Sequence, residues 1–219
     1  MATIVFDLDG TLADTSRDLL AAANHCLGDY GADAMLGDDD AGTALRGGRA
    51  MLRLGLGRIG RDDEAVIDAL YPRLLTAYAD AISVHTVLYP GAMQSIEVLR
   101  REGHGVAICT NKPEKLARQL LTDLGVIDEF QALVGADTLP VRKPDPEPLR
   151  EAVRRAGGDP ALAALVGDSD TDRNTARAAN VPSILVTFGP SGEDMAALDP
   201  EALIDHFDDL PGVVRTLWA

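Results

Sequence analysis

Residues 3–16 read TIVFDLDGTLADTS. The apolar run Ile4-Val5-Phe6 ends in two aspartates one residue apart, Asp7 and Asp9, and Gly10 and Thr11 follow at once. A buried strand that finishes in two like charges is poor design unless those charges have a partner or a task. On an extended backbone, alternate residues point the same way. Asp7 and Asp9 therefore share a side, and Leu8 points to the other.

The same grammar recurs four times. Val106-Ala107-Ile108-Cys109 ends in Thr110-Asn111, and Ala132-Leu133-Val134 ends in Gly135 and Asp137. Ala164-Leu165-Val166 ends in Gly167-Asp168-Ser169, and Ser183-Ile184-Leu185-Val186 ends in Thr187. Short, unbroken apolar runs are the pattern of strands buried on both faces. Helical periodicity lies between them: Met93, Ile96 and Leu99 before Gly103; Leu116, Leu120, Leu121 and Leu124 after Pro113, read as the first helical residue; Leu149, Val153 and Ala156 before Gly157; and a helix opening at Asp170 or Thr171. Alternation of this kind predicts an α/β fold built on a doubly wound, Rossmann-like parallel sheet.

From about Asp14 to Ser83 the alternation stops. Leu19, Leu20, Ala23 and Leu27 form one helical stripe, and Val66, Ile67, Leu70, Leu74, Leu75 and Tyr78 form another. Gly28, Gly31, Gly37, Gly42, Gly47, Gly48, Gly55, Gly57 and Gly60 read as the loops between. The expected organisation is an α/β core from residues 1–13 and 87–219, with an α-helical insertion over 14–86.

Charge and cysteine usage narrow the function classes. The 219 residues carry a formal charge of −15, which argues against a nucleic-acid or anionic-membrane surface but not against a small anion held by a locally positive site. Two cysteines, Cys26 and Cys109, are too few for a disulfide framework, and Cys109 reads as a small buried hydrophobe. With no basic leader and no apolar run long enough to span a bilayer, a cytoplasmic protein is expected. His25, His85, His104 and His206 lack metal-ligand spacing. Trp218 reads as packing on the last helix. The acidic run Asp38-Asp39-Asp40 reads as a solvated loop rather than a calcium site.

Ligands of an open parallel sheet bind beyond the carboxyl ends of its strands. Asp7 and Asp9, Thr110 and Asn111, Lys143, and Asp168 with Asp172 all fall at such ends or on the loops after them. Singly, each has an ordinary alternative: Asp-x-Asp-Gly suits a turn, Thr110-Asn111 a helix cap, and Lys143 a surface charge. Together, three or four converging carboxylates need a hard divalent cation such as magnesium, with the lysine and a hydroxyl suited to phosphate oxygens.

In this combination the chain resembles the haloacid dehalogenase-like superfamily, mostly magnesium-dependent phosphatases. Asp7-Leu8-Asp9-Gly10-Thr11 resembles the first motif, Thr110-Asn111 the second, Lys143-Pro144 the third, and Gly167-Asp168-Ser169 with Asp172 the fourth. Within the superfamily it most resembles bacterial phosphoglycolate phosphatases, through residues 6–16, 84–91 and 167–190. The resemblance implies a helical cap and an aspartyl-phosphate mechanism. In that mechanism Asp7 is the nucleophile and Asp9 the acid and then base. It implies magnesium held by Asp7, the Asp9 carbonyl and Asp168, with Asp172 nearby, and phosphate held by Thr110, Asn111 and Lys143. Arg46, Gly47, Gly48 and Arg49 lie where related caps carry a substrate loop, and one of the arginines is expected to clamp a substrate carboxylate. The expected partner is a small phosphorylated metabolite, most simply 2-phosphoglycolate, with the protein a monomer or homodimer. A β-phosphoglucomutase-like phosphotransferase, a phosphatase for another metabolite and a non-catalytic binding protein are the alternatives. Asp9 argues against true dehalogenase chemistry, which lacks that residue.

Overall fold

The structure is a computed structural model that describes residues 1–61, 63–189 and 194–218; Pro190, at the end of one stretch carrying the resemblance, lies outside them. In chain order, β1 (Thr3–Phe6) and β2 (Ala13–Asp14) precede the helices α1 (Ser16–Leu27), α2 (Ala41–Leu45), α3 (Gly48–Arg58) and α4 (Glu64–Asp80). Next come β3 (Val87–Leu88), α5 (Ala92–Arg101), β4 (Gly105–Cys109), α6 (Glu114–Asp123), β5 (Ala132–Val134), α7 (Glu147–Arg155) and β6 (Ala163–Gly167). The chain ends with α8 (Asp170–Ala179), β7 (Ser183–Val186), β8 (Ala202–Ile204) and α9 (Leu210–Leu217). Two compact units result, Met1–Ala13 with Leu88–Ala219, and Asp14–Val87.

In the first unit the described strands form one sheet in the order β5-β4-β1-β6-β7-β8, parallel throughout. β1 is central because all four of its residues are buried and it pairs on both sides, Phe6 opposite Ile108 and Val166. Strand alternation sorts the core. Val5, Ala107, Cys109, Val134 and Leu165 face Leu149, Ala152 and Val153 of α7 and Ala176 and Ala179 of α8. Ile4, Phe6, Val106 and Ile108, on the opposite face, are also fully buried, and α5 packs against β4 with α9 beside α5. Covering both faces is what permits unbroken apolar strands.

The second unit is helical apart from its bounding residues. α1 packs on α3 and α4, and α3 on α4. Buried Asp18 in the first turn of α1 accepts the backbone N–H groups of His85 (3.0 Å) and Thr86 (2.8 Å) and the Thr86 hydroxyl (2.8 Å). Those bonds satisfy a carboxylate that would otherwise be buried at a cost of several kcal/mol.

Several local expectations need correction. Gly48, Gly55 and Gly57 lie inside α3 and Gly42 inside α2, not in loops. Close packing is the reason at Gly55, where a Cβ would come within 2.5 Å of the Ala34 carbonyl oxygen and of Leu27 Cδ1. Pro113 precedes α6 in an extended conformation (ψ 136°) rather than opening it, and Asp137 accepts the freed Glu114 N–H at 2.7 Å. Trp218 caps α9 and is 38% exposed, so it is covered only in part. Asp38–Asp40 form a single 3-10 turn, with Asp40 paired to Arg58 at 2.7 Å.

Gly135 marks where the end of β5 meets the loop after β4. A Cβ there would lie 2.4 Å from the Glu114 amide nitrogen and 2.8 Å from the Lys112 carbonyl oxygen, both backbone atoms that cannot swing aside. Gly135→Ala should therefore lower the unfolding free energy in urea by about 1–3 kcal/mol. Gly28→Ala, which would meet nothing within 4 Å at a helical backbone angle, should be neutral or stabilising. Equal stability of the Gly135→Ala variant and the parent would show that the junction is not tight.

Candidate active site

The sheet order does the first part of the assembly. β1 lies between β4 and β6 and ends one residue short of both, so Asp7 falls level with Cys109 and Gly167, and Thr110 and Asp168 follow one residue further along the same edge. The Asp7 N–H donates to the Val166 carbonyl at 2.9 Å, carrying the strand pairing to the aspartate itself. The chain then turns back: the N–H groups of Leu12 and Ala13 reach the Leu8 carbonyl at 3.0 and 3.1 Å, and Gly10 takes a left-handed φ of 81° that a side chain would strain. Leu8 is fully buried, whereas Asp7 and Asp9 keep 14% and 16% of their side chains exposed on the site side.

Asp7, Asp168 and Asp172 each offer an oxygen, all within 4.8 Å of one another. Lys143, on the loop after β5, enters this group with its side chain 2% exposed and lies 2.7 Å from Asp172 Oδ1 and 3.1 Å from Asp7 Oδ1. The first contact is a hydrogen bond; the second is an ion pair out of hydrogen-bond alignment, so Asp7 Oδ1 has no donor among the described residues. Asp172 is fixed at the start of α8 by a reciprocal cap. It accepts the Ser169 hydroxyl (2.6 Å) while Ser169 Oγ accepts the Asp172 N–H (3.4 Å). Thr11 donates its hydroxyl to Asp168 Oδ1 at 2.9 Å. Asn111 reaches back to the Lys143 carbonyl at 3.0 Å.

The electrostatics follow from this crowding. Burial raises the Asp7 pKa to about 6 against the pull of Lys143, with Asp172 and Asp9 adding repulsion. Burial, then Asp172 and Asp7, push the Asp168 carboxyl well above the usual range. Burial alone would depress the Lys143 ammonium, but Asp172 and Asp7 reverse that and hold it protonated. Cys109, just behind Asp7, is raised to about 12 by burial, so it is an inert thiol. Three clustered carboxylates, one with an orphan oxygen, fit a hard divalent cation with an all-oxygen shell.

All the core residues singled out from the sequence thus meet at one edge of the sheet, and two further ones join them. Thr11 aligns Asp168, and Lys112 pairs with Asp9, Nζ to Oδ1 2.8 Å. The signal for Lys112 is its place directly after Thr110-Asn111. Arg46, Gly47, Gly48 and Arg49 lie in the helical unit, where they link α2 to α3. There Arg49 is paired with Asp68 and Glu64 and stacked over the Tyr71 ring.

A model of the haloacid dehalogenase-like hydrolase family matches residues 4–186. The chain belongs to that family. Among curated relatives of this hydrolase, a phosphoglycolate phosphatase of Mesorhizobium japonicum is 42% identical over 94% of this chain and 92% of its own length. One of Agrobacterium fabrum is 39% identical over 93% of this chain and 88% of its own. The crystal structure of a predicted phosphoglycolate phosphatase from Haemophilus somnus superposes with a TM-score of 0.86 at 25% identity, over 97% of each chain. Among the described residues of the hydrolase, no helix is long and apolar enough to cross a membrane.

The raised Asp7 pKa sets a pH dependence. A folded-state value near 6 against 3.8 unfolded means that the folded chain binds the extra proton. The stability it brings is complete below pH 3.8 and lost as pH rises through about 6, where the ionised cluster needs a cation instead. An added divalent cation should therefore raise the thermal midpoint more at about pH 7.5 than at about pH 5, where protons compete for Asp7, and Asp168→Asn should abolish the shift. Equal shifts at both pH values would place cation binding elsewhere.

Proposed function

We propose that this hydrolase is a magnesium-dependent phosphatase for a small phosphate monoester, with 2-phosphoglycolate as substrate, working in the cytoplasm. The observation that carries the reading is the pair of carboxyls on one side of the loop after β1, Asp7 facing Lys143 at 3.1 Å and Asp9 facing Lys112 at 2.8 Å. The names of the two bacterial relatives support the substrate. The two free, buried thiols, Cys26 and Cys109, suit a reducing compartment.

In this reading an Asp7 oxygen attacks phosphorus and the bond to the leaving oxygen breaks as Asp9 gives it a proton. Water then attacks phosphorus, Asp9 takes back a proton, and phosphate departs as the Asp7 carboxylate is restored. The Thr110 hydroxyl, the Asn111 backbone and Lys143 hold the phosphoryl oxygens, where charge builds. Asp7, the Asp9 carbonyl and Asp168 would hold magnesium, with Asp172 oriented beside them through Ser169 and Lys143; when bound, the ion neutralises the carboxylates and phosphate oxygens that must approach each other.

Asp7→Asn tests the core of the mechanism. The amide keeps the shape of the side chain but cannot form an acyl phosphate, so kcat should fall more than about a hundredfold with the fold unchanged by circular dichroism. Retention of more than about a tenth of the activity on a panel of small esters would refute the mechanism.

The helical unit is proposed as the cap that selects the leaving group, with Arg46 or Arg49 pairing the substrate carboxylate. Arg49 already pairs with Asp68 and Glu64, so a substrate would have to displace them. Truncating the clamp to alanine should lower kcat/KM for 2-phosphoglycolate by about 2–4 kcal/mol, and change a neutral aryl phosphate far less. If Arg46→Ala and Arg49→Ala affect both esters alike, carboxylate recognition lies elsewhere.

A further inference from the structure

Lys112 is an unusual place for a lysine. It follows β4 by three residues, and its side chain is 3% exposed. Long, charged side chains are seldom buried this far unless they are paired. Its Nζ lies 2.8 Å from Asp9 Oδ1 and 3.1 Å from Oδ2, hydrogen-bonding both oxygens. One ammonium bridging two oxygens fixes the direction in which the carboxyl group points, not merely its distance. The lysine itself is anchored at both backbone groups: its N–H donates to Thr110 Oγ1 at 3.2 Å, and its carbonyl accepts the Ala136 N–H at 3.0 Å.

A purely architectural role explains this poorly. The turn after Asp9 is closed by its own hydrogen bonds, Gly10 N–H to the Ala13 carbonyl at 2.9 Å and Leu12 and Ala13 N–H to Leu8. It needs no ion pair to keep its shape. Burying an ammonium is also a weak way to join two loops, because a well-packed apolar side chain of similar volume does so at equal or lower free energy. What the lysine adds is control over the orientation of one side chain, Asp9.

We propose that Lys112 is a positioning residue for Asp9, holding its carboxyl group in the orientation that exchanges a proton with the reacting oxygens. The proposal rests on the reading of Asp9 as the acid and base of a phosphatase. Lys143 serves a separate set of groups, Asp7 and Asp172, so the two buried lysines divide the site between them. A carboxyl group freed from Lys112 would sample other rotamers, and proton transfer is sensitive to misplacement on the scale of a single rotamer change.

The experiment is a double-mutant cycle on Lys112→Met and Asp9→Asn, with steady-state kinetics on 2-phosphoglycolate and 4-nitrophenyl phosphate at saturating magnesium. Lys112→Met should lower kcat on the alkyl ester at least about tenfold, with KM within about twofold. The loss in kcat/KM should be smaller for the nitrophenyl ester, whose leaving oxygen needs little protonation. Lys112→Arg should recover part of the loss. In the Asp9→Asn background, Lys112→Met should cost less than about a further twofold, because the group it acts through is gone. If Lys112→Met does not fold by circular dichroism, Lys112→Gln carries the same cycle. Equal losses in both backgrounds, or on both esters, would overturn the positioning role. If Asp9→Asn alone keeps more than about a tenth of the activity on the alkyl ester, it is the acid–base reading beneath the proposal that falls.

Discussion

The constraint on which the site depends is electrostatic: Asp7, Asp168 and Asp172 crowd within 4.8 Å with Lys143 among them. Like charges this close cannot all ionise without compensation, and burial makes the conflict worse. The raised Asp7 and Asp168 values are the visible strain of that arrangement. A group of carboxyls that resists ionisation suits a ligand bringing positive charge. The same crowding that destabilises the carboxylates would favour a cation among them.

The fold exists in a form that makes this crowding possible. A parallel sheet with β1 between β4 and β6 brings three strand ends into one row, though the strands lie far apart along the chain, at Thr3–Phe6, Gly105–Cys109 and Ala163–Gly167. Because every strand runs the same way, the residue after each strand lands at the same edge. The cores on either side of the sheet keep these ends from shifting, since Val5, Cys109 and Leu165 are locked against α7 and α8. Asp172 arrives by a different route, carried on the first turn of α8 and held by Ser169. Site geometry is therefore set by backbone registry and one helix cap, with little left to side-chain freedom.

This division decides what can be read from the sequence. Strands β1, β4, β5, β6 and β7 are legible because residues buried on both faces read as unbroken apolar runs, and the polar residue ending each run announces the site edge. β8 is not, because Ala202-Leu203-Ile204 is a three-residue edge strand whose Leu203 is 37% exposed, a pattern shared with ordinary loops. α3 is hidden by its glycines, which signal breaks locally but here serve close packing against Leu27, Tyr71 and Leu74. Lys112, and the part played by Thr11 within the first motif, escape for another reason. Their roles come from which carboxylate they meet across the fold, and neither spacing nor composition encodes a contact between Lys112 and a residue 103 positions away. Arg49 shows the converse: its position in the chain invites a substrate role, while its surroundings supply Asp68, Glu64 and Tyr71 as partners.

Asp7 and Asp9 are the same residue type, two positions apart, yet the protein gives them different surroundings. Asp7 faces Lys143 and two further carboxylates, with one oxygen lacking a hydrogen-bond donor among the described residues. Asp9 faces Lys112 through both oxygens and stands outside the carboxylate cluster. An orphan oxygen beside a cation site suits bond formation to phosphorus, where the lone pair must be available. For an acid–base carboxyl the first requirement is orientation toward the reacting oxygen, and the Lys112 contact supplies a direction. Environment, rather than residue type, is what assigns roles to paired carboxyls. On that principle the two aspartates that end β1 are not redundant charges: a buried lysine on each side keeps them distinct.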